Sequence, residues 1–196
     1  MNTLIAFVIL MAIAIIIAVA STIKDEVSKS GLAKKLKSSG YCINEKLDLP
    51  DIKEENHPYC FMIDKENKKW FLTSYRAEDA RACDYCDIID YSITYRDIGN
   101  QITNGDDHIY SFEKIKEGNG PLLIKLNLGK EDCEYLEIKL TLSEKAKSSV
   151  PCDTFVMYKA RTESFQNHDY VLPSVCFMNA ADFENLLYEI MYENTK

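Results

Sequence analysis

Leu122-Leu123-Ile124-Lys125-Leu126-Asn127-Leu128-Gly129-Lys130-Glu131-Asp132-Cys133-Glu134-Tyr135-Leu136-Glu137-Ile138-Lys139-Leu140-Thr141-Leu142 decides the fold class of this chain. Leu122, Ile124, Leu126 and Leu128 recur at every second position, and so do Leu136, Ile138, Leu140 and Leu142. A period of two belongs to a strand with one buried face, because successive side chains point to opposite sides of a sheet. Gly129-Lys130-Glu131-Asp132 separates the two runs with turn-forming residues, so the stretch predicts an antiparallel hairpin.

The same grammar extends outward. Tyr59–Asp64 and Trp70–Tyr75 flank the polar turn Lys65-Glu66-Asn67-Lys68-Lys69, a second predicted hairpin. Ile89, Tyr91, Ile93 and Tyr95 alternate with Asp90, Ser92 and Thr94, and Asp97-Ile98-Gly99-Asn100 reads as a turn. Phe155 and Met157 mark a further strand. The period then changes. Phe183, Leu186, Leu187, Ile190 and Met191 form one stripe of an amphipathic helix, placed at 179–193. Asn179 and Asp182 suit its N-terminus, and Pro173 would suit the first turn of an earlier start. Strands closed by one C-terminal helix give the α+β class.

Three pieces and that closing stripe carry a resemblance: Phe61-Met62-Ile63-Asp64-Lys65-Glu66-Asn67-Lys68-Lys69-Trp70-Phe71, Cys86-Asp87-Ile88-Ile89-Asp90-Tyr91-Ser92-Ile93, and Leu136-Glu137-Ile138-Lys139-Leu140. In this order they resemble the pleckstrin-homology-like domains of bacterial membrane-associated proteins. They are also similar to a group of uncharacterised Firmicute-type membrane-anchored proteins. The resemblance implies a barrel of about seven strands capped by a helix, and a scaffold or sensing role; it transfers no site residues.

The N-terminus follows other rules. Leu4–Ala20 is an unbroken apolar run of 17 residues, which Thr3 and Ser21–Ile23 extend without charge. Residues 3–23 as a helix would span about 31 Å, the hydrocarbon thickness of a bilayer. We therefore expect a transmembrane anchor there, with Leu4, Ile9, Ile13 and Ile17 among the lipid-contacting positions. No Lys or Arg precedes the run, whereas Lys24, Lys29, Lys34, Lys35 and Lys37 follow it. The positive-inside rule then places the N-terminus outside and the domain in the cytoplasm. The alternative is export after signal cleavage near Ala20, on the small-x-small pattern Ala18-Val19-Ala20. Residues 24–58 read as a basic, then polar stalk, and 59–195 as the β-rich domain.

Charge and cysteine usage bound the function. Residues 21–40 carry a local +3, so residues 41–196 hold −11 of the net −8. Such an acidic domain repels phosphate backbones and argues against nucleic-acid binding. An odd count of seven cysteines suits a reducing compartment. Cys83-Asp84-Tyr85-Cys86 is the one CxxC, but zinc wants about four ligands, and Cys42, Cys60 and His57 are the nearest further candidates. Cys83 and Cys86 are therefore the metal candidates, in a chain for which neither metal nor cofactor is expected. His108 and His168 belong to no recognised catalytic motif. Asp84 and Asp87, and Asp106 and Asp107, show no calcium-loop pattern. Trp70 and the tyrosines read as strand and core residues. The expectation is a membrane-tethered, non-enzymatic interaction or sensing module. Its partners would be the bilayer and another protein. The exported alternative would carry a metal-binding or thiol function.

Overall fold

The computed structural model describes residues 31–49, 59–74, 80–97, 107–126, 133–159 and 173–195. Among them, the strands form two four-stranded antiparallel sheets. Sheet A is a meander of β1 (Glu45–Leu49), β2 (Tyr59–Asp64), β3 (Lys69–Ser74) and β4 (Cys83–Asp84). Sheet B runs in the order β6-β5-β7-β8, from β5 (Ile88–Asp97), β6 (His108–Ser111), β7 (Cys133–Leu142) and β8 (Thr154–Lys159). Helix α1 covers residues 31–38, α2 Phe112–Glu117, α3 Leu122–Leu126, α4 Glu144–Lys147 and α5 Pro173–Asn194.

The β2–β3 hairpin forms as its sequence predicts, with Asp64 opposite Lys69. Asp64 builds the turn. Its carboxylate accepts the backbone N–H of Asn67 at 2.9 Å, the Asn67 amide at 2.7 Å and the Cys42 N–H at 2.9 Å. Burial would raise its pKa, but these donors outweigh that and hold it below the usual carboxylate value. Lys68 takes the left-handed conformation that closes the turn, φ +50°. Both strands are apolar on consecutive positions because both faces of sheet A are covered. Phe61, Ile63, Trp70 and Leu72 enter the main core, while Cys60, Met62 and Phe71 meet Leu32 and Leu36 of α1 in a second core.

Sheet B has one dry face. Tyr91, Ile93 and Tyr95 of β5 and Leu136, Ile138, Leu140 and Leu142 of β7 are buried in the main core. Helix α5 closes that core with Phe183, Leu186, Leu187, Ile190 and Met191, the predicted stripe. The ring of Phe183 sits edge-on to Phe61 of sheet A and to Phe155 of sheet B, each 5.1 Å away. One side chain thus joins both sheets to the helix.

Several expectations change. Neither sheet closes among the described residues, so the barrel is replaced by two open sheets sharing one core. Leu122–Leu126 is helical: Leu123 is buried and Ile124 is 59% exposed, the reverse of the alternation expected. The partners of β7 are β5 and β8, and the expected turn at 129–132 lies outside the described residues. On β5 a register shift between Ile88 and Asp90 turns Ile88 inward and leaves Ile89 57% exposed. The C-terminal helix begins at Pro173 rather than 179, which puts Asn179 inside it. The residues assigned to a stalk include α1 and β1, and both pack on the domain. No described helix is long and apolar enough to cross a membrane. Residues 3–23, with Leu4, Ile9, Ile13 and Ile17, lie outside the described residues, as do the 98–100 turn positions.

Candidate functional site

The CxxC segment lies where the two sheets meet. Strand β4 ends after two residues because Tyr85–Asp87 turns as a 3-10 helix into β5. Asp87 holds this corner. Its carboxylate accepts the Asp84 N–H at 2.9 Å and the Ser143 hydroxyl at 2.7 Å, and its carbonyl accepts the Ser143 N–H at 2.9 Å. Ser143 in turn caps α4 by accepting the Ala146 N–H at 3.2 Å. Asp84 pairs with Lys69, and with Lys145 at 2.9 Å; these two cations hold its carboxyl below the ordinary range. Trp70 donates its indole N–H to the Asp84 carbonyl at 2.8 Å, and Asn194, at the end of α5, donates to the Tyr85 carbonyl at 2.8 Å. Each polar group in this knot ties one element to another.

The two cysteines of the motif are separated by the protein surface. Cys83 is buried in the main core, and burial, with the negative charge of Asp87, pushes its thiol up to about 11. A thiol so hard to ionise is a poor ligand and a poor nucleophile near neutrality. Cys86 is exposed. Cys42 is exposed too, whereas Cys60 lies in the second core. Among the described residues no three His, Cys, Asp or Glu side chains are grouped to hold a metal ion. Cys83→Ser should lower stability by about 1–3 kcal/mol, since it buries a hydroxyl in an apolar site. Cys86→Ser should stay within about 0.5 kcal/mol. Urea denaturation of the two variants checks both values.

The other candidates scatter. His108 lies exposed on β6, and His57, His168 and Asp106 lie outside the described residues. Asp107 pairs with Arg96 at 2.6 Å, and that guanidinium covers the Tyr135 ring at 5.5 Å from its centroid. Trp70 is fully buried and stacks on Phe61 at 5.7 Å.

One charged residue gave no signal in the sequence. Glu184 is fully buried on α5, and its carboxylate accepts the backbone N–H of Leu122 and, at 2.6 Å, that of Leu123. It thereby satisfies the open N-terminus of α3. Burial raises its pKa against the opposing pull of those two donors and Lys125. Tyr91 also lies in this part of the core, its hydroxyl without a hydrogen-bond partner among the described residues and its acidity suppressed by burial and then by Glu184.

Glu45, Lys46 and Leu47 of β1 and Asp182, Asn185 and Leu186 of α5 line an open groove of about 320 Å³. On the far side of sheet A, α1 buries Leu32 and Leu36 and exposes Lys34, Lys35 and Lys37. No protein-family model, curated protein or solved structure matches this chain.

Proposed function

We propose that the chain is a membrane-tethered cytoplasmic module that works by binding or sensing and catalyses no reaction. The observation that carries this reading is the uncharged run Leu4–Ala20 followed by five lysines between Lys24 and Lys37, with none before it. The use of the polar groups adds to it: the buried Asp87 and Glu184 and the partly exposed Asp84 are engaged in joining elements to one another. Four buried thiols, Cys60, Cys83, Cys133 and Cys176, suit a reducing compartment. The likeness to pleckstrin-homology-like domains stays part of this reading as a resemblance of sequence, beside an α+β fold of two open antiparallel sheets and a C-terminal helix. The partners in this reading are the lipid bilayer and another protein, and the acidic domain disfavours nucleic acid.

A second reading rests on Ala18-Val19-Ala20: cleavage near Ala20 would give an exported or surface-attached domain with a metal-binding or thiol function at its cysteines. Cysteine labelling in intact cells separates the two. The exposed Cys42 and Cys86 are the reporters, because the buried Cys133 is shielded from reagent on either side of a membrane. A membrane-impermeant maleimide should leave both unmodified until the membrane is permeabilised. Their modification in intact cells would overturn the cytoplasmic placement in favour of export.

A further inference from the structure

Helix α1 belongs to the folded domain. Leu32 and Leu36, one turn apart, close the second core over Cys60, Met62 and Phe71 on the outer face of sheet A. The rest of the helix is exposed, with Lys34, Lys35 and Lys37 and no acidic residue in 31–38. Arg81 is exposed between Ala80 and Ala82, which pack on the same core.

The chain length then fixes an orientation. The uncharged apolar segment ends at Ile23, so only residues 24–30 separate it from α1. Seven residues reach at most about 25 Å even when fully extended, less than the ~30 Å diameter of a small domain. If the segment is anchored, the α1 side of the domain is the side held at the bilayer. Charge points the same way. Residues 41–196 carry −11 and are repelled by an anionic surface, whereas α1 presents cations within a Debye length of it.

We infer that the α1 face of the domain is a lipid-surface site, seated on an anionic leaflet through Lys34, Lys35 and Lys37. The inference rests on the tethered reading above. It makes the outer face of sheet B, at Ser92, Thr94 and Lys139, the side turned away from the membrane, because the main core lies between that face and sheet A. Partners in the cytoplasm would then meet sheet B and the ends of α5 rather than α1.

The test uses the full chain in nanodiscs of phosphatidylcholine alone and of phosphatidylcholine mixed with phosphatidylglycerol, each doped with a gadolinium-chelating lipid. Backbone amide broadening reports distance from the headgroups. In the anionic discs, residues 31–41 and 80–82 should broaden strongly and Ser92, Thr94 and Lys139 weakly. Lys34→Gln, Lys35→Gln and Lys37→Gln together should lower the seated-to-free ratio by up to about a hundredfold, at roughly fivefold for each lysine. High salt should act in the same direction. Equal broadening of both faces, or a pattern indifferent to anionic lipid and to the triple variant, overturns the seating while leaving the tether in place. A chain that fails to stay with the phosphatidylcholine discs overturns the tether and the seating together.

Discussion

Phe183→Ala should be among the most destabilising single changes in the domain, lowering its unfolding free energy by about 3–5 kcal/mol. Phe183 is fully buried and meets Phe61 and Phe155 edge-on, one in each sheet. Such aromatic pairs add about 0.5–1.5 kcal/mol beyond the area they bury. Truncation leaves a void between three elements that are each held by their own hydrogen bonds, so the site cannot easily collapse. A domain of this size is stable by only about 5–15 kcal/mol, so the change removes a large share of the margin. Met178→Ala on the same helix should stay within about 0.5 kcal/mol, since that side chain is exposed. Urea denaturation of residues 31–196 measures both. The Phe183→Ala midpoint should fall with the slope unchanged. A shift no larger than that of Met178→Ala would mean that α5 does not close the core.

The elements that were legible in the sequence are those whose burial is written locally. The α5 stripe is visible because its five apolar residues share one helical face and all enter the core. The β2–β3 hairpin is visible because a polar turn separates two apolar runs, and Asp64 and Asn67 satisfy that turn from within. The same local reading fails for Leu122–Leu126. A short apolar run fits a strand or a buried turn of helix equally well by pattern, and here the choice is made by Glu184, 62 residues from Leu122. Strand β1 reads as polar because only Leu47 and Leu49 of its five residues face the core, as expected of an edge strand. Helix α1 hides for a similar reason, two leucines among lysines and serines. Their shared consequence is that the region read as a stalk contributes a strand and a second core.

The candidate site was legible as residues but not as roles. Cys83 and Cys86, with two residues between them, have a spacing associated with metal and redox chemistry, yet the turn Tyr85–Asp87 sends one inward and the other outward. Asp84 and Asp87 gain their meaning from Lys69, Ser143 and Lys145, which lie on other elements. Pairings of this kind arise from sheet order, which composition and periodicity do not encode.

Glu184 gives the second large expected effect. Glu184→Ala takes the acceptor from the N–H groups of Leu122 and Leu123, and each such group left without a partner costs about 1–3 kcal/mol. The variant should therefore lose about 2–5 kcal/mol at neutral pH, and hydrogen exchange at Leu122 and Leu123 should quicken well before global unfolding. Glu184→Gln keeps the volume but turns a donor toward one of the two N–H groups, so it should lose less than the alanine variant and more than a surface change. The pH dependence has a definite sign. Burial raises the Glu184 pKa above its ordinary value, so the folded state binds this proton more tightly than the unfolded state does. The stability from that proton is fully present below the ordinary glutamate range and is lost as pH rises through the raised value. Asp64 and Asp84, both held low, act oppositely, their stability being lost as pH falls. Comparing wild type with Glu184→Gln across pH 4 to 8 cancels those shared contributions, in the range where a raised glutamate titrates. The stability difference in favour of wild type should shrink as pH rises. A difference that grows with pH would mean that the two α3 donors, rather than burial, set the protonation of Glu184.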